Sequence, residues 1–204
     1  MKILNISLSF NKELRFLFIV FIFFSQSSQA SEISSDFINE ELLRVQTDPD
    51  HSIEIAIQAP IGFVFEFLSK KLNEYVAGAV AVEFDHSNSE TIAELGVGSI
   101  RKTTMENSRV LVQRFLQFEP SSYYAYFTDM NMSTLEAPLD YSLARYELSS
   151  ASVDDTILRV SVVYKPTTRL LAFFVRRAFN SALKKDFENA ARIIASEYKQ
   201  IKED

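Results

Sequence analysis

The 204-residue chain has no cysteine, no tryptophan, four glycines, five prolines and two histidines. Each shortage excludes something. Without cysteine there can be no disulfide, no thiolate nucleophile, no cysteine zinc site and no lipid-modified N-terminal cysteine. The histidines, His51 and His86, each stand alone beside an expected strand end. Neither has a second histidine at ligand spacing, so no metal is expected, and both read as surface-loop residues. There is no glycine-rich phosphate loop, no Gly-x-Ser-x-Gly elbow and no pattern supporting a serine triad. No low-complexity linker or internal repeat divides the chain. No catalytic residue and no cofactor is assigned.

What is present begins with an apolar run, Phe16 to Phe24. Its nine residues would span about 13 Å as a helix, against a hydrocarbon core of about 30 Å. Lys2, Lys12 and Arg15 precede it and Ser28-Gln29-Ala30 follow it. Charged, then apolar, then small is the order of a secretory signal peptide. The expected organisation is a signal peptide over 1–30, an N-terminal extension over 31–50 and one domain over 51–204. Cleavage after Ala30 would leave the protein in a periplasm or outside the cell; an uncleaved anchor and a buried core helix are the alternatives. The first thirty residues hold three basic residues and one acid, so the remainder carries −8 where the whole chain carries −6. Such an acidic domain is unsuited to nucleic acid and to wide contact with anionic lipid. Without disulfides it must be held by packing, which its size allows.

Residues 31–50 can be read two ways. Glu41 to Thr47 forms a strand turned by Asp48-Pro49-Asp50, or Ile33, Phe37, Ile38 and Leu42 form one face of a short helix; the turn chemistry favours the strand. Ile53, Ile55 and Ile57 then alternate with polar or small residues, a half-buried strand. After Ala59-Pro60, helical spacing of Phe63, Val64, Phe67 and Leu68 predicts a helix, with a second short one over Leu72 to Val76. Six strands follow, at Val80–Phe84, Gly98–Met105, Val110–Phe118, Tyr123–Thr128, Tyr141–Leu148 and Ile157–Tyr164. Short joins make the sheet an antiparallel meander. From Thr168 to Asp204 there is no glycine or proline. There Leu171, Val175, Phe179, Leu183, Phe187, Ala191, Ile194, Tyr198 and Ile201 form one stripe of a long amphipathic helix.

Several short segments now resemble one superfamily. Ile57-Gln58-Ala59-Pro60 followed by Val64-Phe65-Glu66-Phe67-Leu68 resembles its strand, Ala-Pro, helix opening. Val97-Gly98-Ser99-Ile100-Arg101 resembles its Gly-Ser-x-Arg strand. Phe118-Glu119-Pro120 with Tyr124-Ala125-Tyr126 resembles its strand–proline–strand corner, and Leu158-Arg159-Val160 its penultimate stretch. The resemblance is to the helix-grip superfamily of START lipid-transfer domains, Bet v 1-like proteins and polyketide cyclase/dehydrase-like (SRPBCC) proteins. It covers about Ser52 to Ile201. The chain departs from it in lacking tryptophan and in having Gln113 where many bacterial members have an acid on the fourth strand. The resemblance implies an α+β helix-grip fold. About seven strands would form a curved antiparallel sheet around the C-terminal helix, with two short helices after the first strand and an apolar cavity between sheet and helix.

Strand parity assigns Tyr124, Tyr126, Ala144, Tyr146, Val160, Val162 and Tyr164 to that cavity, and the helix stripe adds Phe179, Leu183 and Phe187. Arg101 and Gln113, on strands joined by a short turn, would be neighbours able to hold a carboxylate or hydroxyl, or Arg101 would sit on the convex face. Met130 and Met132 would stand at the cavity mouth or pack on their own loop. Leu170, Leu171, Phe173 and Phe174, ahead of Arg176-Arg177, would line the entrance, touch a membrane transiently or pack in the core. The functional expectation is an exported binding protein for a small hydrophobic or amphipathic molecule, lipid- or polyketide-like. An aromatase/cyclase- or dehydratase-like enzyme and an interaction module with a filled interior are the alternatives. Oligomeric state is not legible.

Overall fold

A computed structural model describes residues 34–203, apart from Ile92 and Leu171. The expected signal peptide lies outside the described residues. The elements run α1 (Ser35–Thr47), β1 (His51–Ile57), α2 (Ile61–Lys70), α3 (Leu72–Tyr75), β2 (Ala79–Asp85), β3 (Ile100–Met105), β4 (Val110–Glu119), β5 (Tyr123–Asp129), β6 (Leu139–Ser152), β7 (Asp155–Pro166) and α4 (Ala172–Glu203). The seven strands form one curved antiparallel sheet in the order β1-β7-β6-β5-β4-β3-β2. β1 closes on β7 because α2 and α3 carry the chain from one edge of the sheet to the other. The remaining strands form a meander, with longer connections over 86–99 and 130–138. The α+β arrangement implied by the resemblance is present.

The first departure from the sequence reading is α1. Glu41 to Thr47 is helix, not strand. Ser34 caps it, its Oγ accepting from the Phe37 amide at 3.3 Å. Ile38, Glu41 and Val45 bury one side against Phe127, Tyr141, Leu143 and Val163 on the outer face of the sheet. Asp48-Pro49-Asp50 is a helix terminator rather than a strand turn: Asp48 is the C-cap. The Asp50 carboxylate accepts from the Tyr164 amide at 2.9 Å. The apolar period of α1 was visible, but the surface it packs on belongs to strands about 100 residues later.

The inner face carries the main core. Strand residues at every second position, including Tyr124, Tyr126, Ala144, Tyr146, Leu158, Val160 and Val162, join Val64, Phe65, Phe67 and Leu68 of α2 and Phe187, Ala190 and Ile194 of α4. A β-bulge between Phe115 and Gln117 brings Phe118 onto this face as well. The stripe of α4 is buried at Val175, Phe187 and Ile194 and half-buried at Phe179, Leu183, Ala191 and Tyr198. Ile201 does not share in it, being 61 % exposed. The last packed turn is tied down by polar contacts instead. Tyr198 donates to Asp154 at 2.7 Å and Lys202 pairs with the same carboxylate at 2.6 Å.

The start of β3 has a steric cause. Gly98 has φ +89°, and a Cβ there would lie 2.0 Å from the Asn88 carbonyl oxygen. Only glycine permits this approach. It lets the buried Ser99 Oγ reach His86 Nδ1 at 3.0 Å and accept from the Gly96 amide at 3.1 Å. The Gly-Ser pair thereby fixes where β3 begins and so which side of the sheet Arg101 faces.

Candidate functional site

Arg101 points inward and is completely buried. It stands directly across the ladder from Gln113. Its Nε donates to Gln113 Oε1 at 2.9 Å, and Nη1 donates to the Ser69 carbonyl at the end of α2 at 3.3 Å. Its Cζ lies 4.7 Å from the centre of the Tyr126 ring and 5.4 Å from that of Phe115. Gln113 in turn donates to Thr128 Oγ1 at 3.4 Å. Among the described residues no carboxylate pairs with Arg101. Three buried side-chain atoms there have no hydrogen-bond partner: Arg101 Nη2, Thr103 Oγ1 and Tyr124 Oη.

A guanidinium stays charged in proteins, and a buried charge is costly unless it is paired. Two neutral acceptors and two aromatic faces offset only part of that cost. The surrounding hydroxyls are the right type to complete an anion site. Tyr126 and Tyr146 share a hydrogen bond at 2.9 Å, and Tyr75 donates to the Leu68 carbonyl at 3.2 Å. Burial pushes Tyr75, Tyr124 and Tyr146 well up from the ordinary phenol value. They therefore remain protonated donors, not bases.

Of the residues assigned from sequence, Arg101, Gln113, Tyr124, Tyr126 and Tyr146 come together in this cluster. Phe187 closes it from α4, its ring 5.5 Å from Tyr146 and 5.8 Å from Tyr75. Tyr124 stacks on Tyr146 at 4.5 Å. Side chains thus occupy this end of the interior densely. Val160 and Val162 are buried along β7 beside it. Tyr164 and Phe179 stack at 4.7 Å nearer the start of α4, with Leu183 half-buried along the same helix. His51 joins them, which corrects its reading as a loop residue. It is the first residue of β1, on the inner-face register, stacked on both rings, with Nε2 3.3 Å from the Tyr164 hydroxyl. His86 is likewise held, by Ser99 and by stacking on Phe84.

The four residues assigned to a mouth separate. Met130 is half-buried against the inner core. Met132 is 60 % exposed and borders a hollow of about 360 Å³ with Ile100, Val112, Arg114, Phe127 and Asp129. Those strand residues alternate with the inward set, so this hollow lies on the outer face and not between sheet and helix. Phe173 and Phe174 are exposed at the start of α4.

Sequence reasoning missed Ser69, Tyr75, Thr103, Phe115 and Thr128 in the Arg101 cluster. The three strand residues were legible, since each stands two positions from an assigned one. Ser69 and Tyr75 were not, because the facing of two short helices depends on how they seat against the sheet. Asp186, beside Phe187 on α4, was also missed. Burial raises its carboxyl from the usual range, against the opposing hydrogen bond from the Ala77 amide. No group of acids and histidines among the described residues could hold a metal.

The fold has counterparts among solved structures. Ara h 8.0201 superposes with a TM-score of 0.54 at 14 % identity, over 72 % of this chain and 98 % of its own. The fold is the helix-grip fold. XoxI from Bacillus cereus gives 0.55 at 10 % identity over 74 % and 96 % of the two chains. A protein from Thermobifida fusca gives 0.56 at 11 % over 71 % and 92 %. At these identities the likeness concerns architecture alone. No family model and no curated protein matches the sequence.

Proposed function

We propose that this chain is an exported binding protein for a small amphipathic molecule with an acidic head. The head is held by Arg101 and the apolar body runs along the inner face toward Tyr164, Phe179 and Leu183. The observation that carries this reading is Arg101 itself. It is fully buried, lacks a carboxylate partner among the described residues and has one nitrogen without an acceptor. A ligand carboxylate supplies the missing charge, and the protonated Tyr124 hydroxyl supplies a second donor. The predominance of aromatic and aliphatic side chains around a few placed polar groups is the composition of a small-molecule site. Admission of the ligand requires the stacked tyrosines to part, so binding couples to rearrangement of Tyr124 and Tyr146. The apolar run with its small-residue exit supports export.

The test is displacement of a fluorescent long-chain acid, compared with the alcohol of the same chain length. Arg101→Met keeps much of the volume and removes the charge. It should weaken the acid by roughly thirtyfold, the value of one charge-assisted hydrogen bond of about 2 kcal/mol, and leave the alcohol nearly unchanged. Equal loss for both would assign Arg101 to the fold alone. Failure of either probe to bind the wild-type chain would favour an interaction module with a filled interior. Native mass spectrometry of protein from its own host would identify the molecule carried.

A further inference from the structure

Of the eight large apolar residues that stand exposed among the described residues, three fall together in one short segment. Among the described residues, Leu170 is 88 % exposed, Phe173 69 % and Phe174 62 %, all within five positions at the start of α4. Phe173 and Phe174 touch edge to face at 5.8 Å, while Val175 beside them is buried. The helix is therefore correctly seated, and the two rings are left facing solvent.

The charge around them is equally uneven. From Thr156 to Lys185 there is not one acid, in a chain of net charge −6. Arg169, Arg176 and Arg177 are exposed, and none forms an ion pair among the described residues. By contrast Lys165 pairs with Asp140 at 2.8 Å and Arg159 with Glu54 at 3.1 Å. Arg176 and Arg177 follow Phe173 by three and four residues, so on a helix they share its face. They also lie near the positive end of the helix dipole, where cations are unfavourable. The first turn has no acid to compensate. The Thr167 amide donates to the Pro138 carbonyl at 3.1 Å, so the β5–β6 connection lies beside this segment.

We infer that the segment Arg169 to Arg177 is a docking surface for the anionic face of a lipid bilayer. Phe173, Phe174 and Leu170 enter the headgroup region while the three arginines hold lipid phosphates. Charge complementarity selects this occupant, because three exposed arginines without an ion pair among the described residues, in a stretch of sequence without an acid, match lipid phosphates. Area does so too. Three such side chains offer a few hundred Å², short of the roughly 800 Å² per partner of a stable protein interface. Shallow insertion of aromatic and aliphatic side chains beside basic residues is sufficient for reversible membrane attachment. The earlier expectation that an acidic domain avoids anionic lipid holds for the molecule as a whole, not for this tip. The inference does not depend on any interior ligand.

Because the chain has no tryptophan, Phe173→Trp places a single reporter in the patch. With vesicles of phosphatidylcholine and phosphatidylglycerol in equal parts, its emission should shift to the blue and be quenched by brominated lipid. Pure phosphatidylcholine should give little change, and added salt should reverse the shift. In cosedimentation, Arg176→Glu with Arg177→Glu should weaken attachment to the anionic vesicles by roughly tenfold or more. Phe173→Ser with Phe174→Ser should do so at unchanged melting temperature, and Leu170→Ser, outside the helix, is a milder second variant. Equal attachment of wild type to both kinds of vesicle, variants indistinguishable from wild type, or no shift of the tryptophan would each overturn the inference. Retention by an acidic protein without vesicle binding would overturn it as well. All variants should still bind the interior probe, so a failure here is distinct from a failure of the ligand reading.

Discussion

Two arginines on opposite faces of the same sheet differ in burial and in whether a carboxylate meets the charge. Arg145, on the outer face of β6, is 7 % exposed; Arg101, on the inner face of β3, is fully buried. Each donates to a glutamine side chain, Gln117 for Arg145 and Gln113 for Arg101. Each lies over a tyrosine ring, at 4.2 Å from Tyr123 and 4.7 Å from Tyr126. Arg145 also has a carboxylate, Glu147, at 3.1 Å. Arg101 has none among the described residues, although it is the more deeply buried. The outer site is a completed ion pair whose carboxylate, Glu147, is reached by water. The inner site is where an unmet charge costs most and where it is left unmet. The same side chain therefore does structural work on one face and leaves a position for an anion on the other.

The largest effect expected from breaking this contrast is on packing. Phe187 packs on Tyr75 and Tyr146 beside the Arg101 cluster, and it is 3 % exposed. Phe187→Ala should cost about 3–5 kcal/mol in chemical denaturation. An unchanged midpoint would mean that α4 is not packed on the cluster around Arg101, and the inner half of the comparison would lose its cover. Next comes the exchange of the arginines themselves. Arg145→Met should leave the affinity for a long-chain acid within a factor of two or so, against the roughly thirtyfold loss expected for Arg101→Met. Similar losses in both would show that long-range charge, not the inner site, attracts acids. A smaller effect belongs to the outer cover. Ser34→Ala removes the cap of α1 and should cost about 1 kcal/mol without altering probe affinity. A change in affinity would show that the two faces are coupled through the sheet.

How much of this was legible follows from the kind of constraint involved. The strands were read in number and order, though β6 and β7 run two to four residues further at their ends than expected; alternation reports one face directly, and the parity of Tyr124, Tyr126, Tyr146, Val160 and Val162 matches the inner face observed. Arg101 could be paired with Gln113 but not assigned a side, because its facing is set by the Gly98 contact with the Asn88 carbonyl, a tertiary approach. α1 was misread because an Asp-Pro-Asp sequence ends a helix as readily as it turns a strand. Phe173 and Phe174 lie off the α4 stripe and are exposed accordingly, whereas Ile201 lies on the stripe and is exposed all the same. A pattern of threes and fours says which residues share a face, but not how far along the helix there is still sheet to cover it.

The smallest expected effect is also the most local. His51 sits at the open end of the inner face, half-buried, with Asp50 before it, Tyr164 at its Nε2 and Arg176 nearby. Burial first, then the positive charge of Arg176, lowers its pKa from the ordinary value of about 6.5, while Asp50 opposes them. The folded state thus binds the proton less readily than the unfolded chain. Between the lowered pKa and about 6.5 the unfolded chain holds more protons, so stability should fall as pH drops through that window and stay flat above it. His51→Gln should remove this slope. The chain has only two histidines, so the imidazole signals in an NMR titration can be assigned by that variant alone. The His51 midpoint should lie below the ordinary value and rise toward it in Arg176→Gln. A midpoint at or above the ordinary value would place the ring in water. The inner face would then end at Tyr164, and the route proposed for an apolar ligand body would be open to solvent from its first residue.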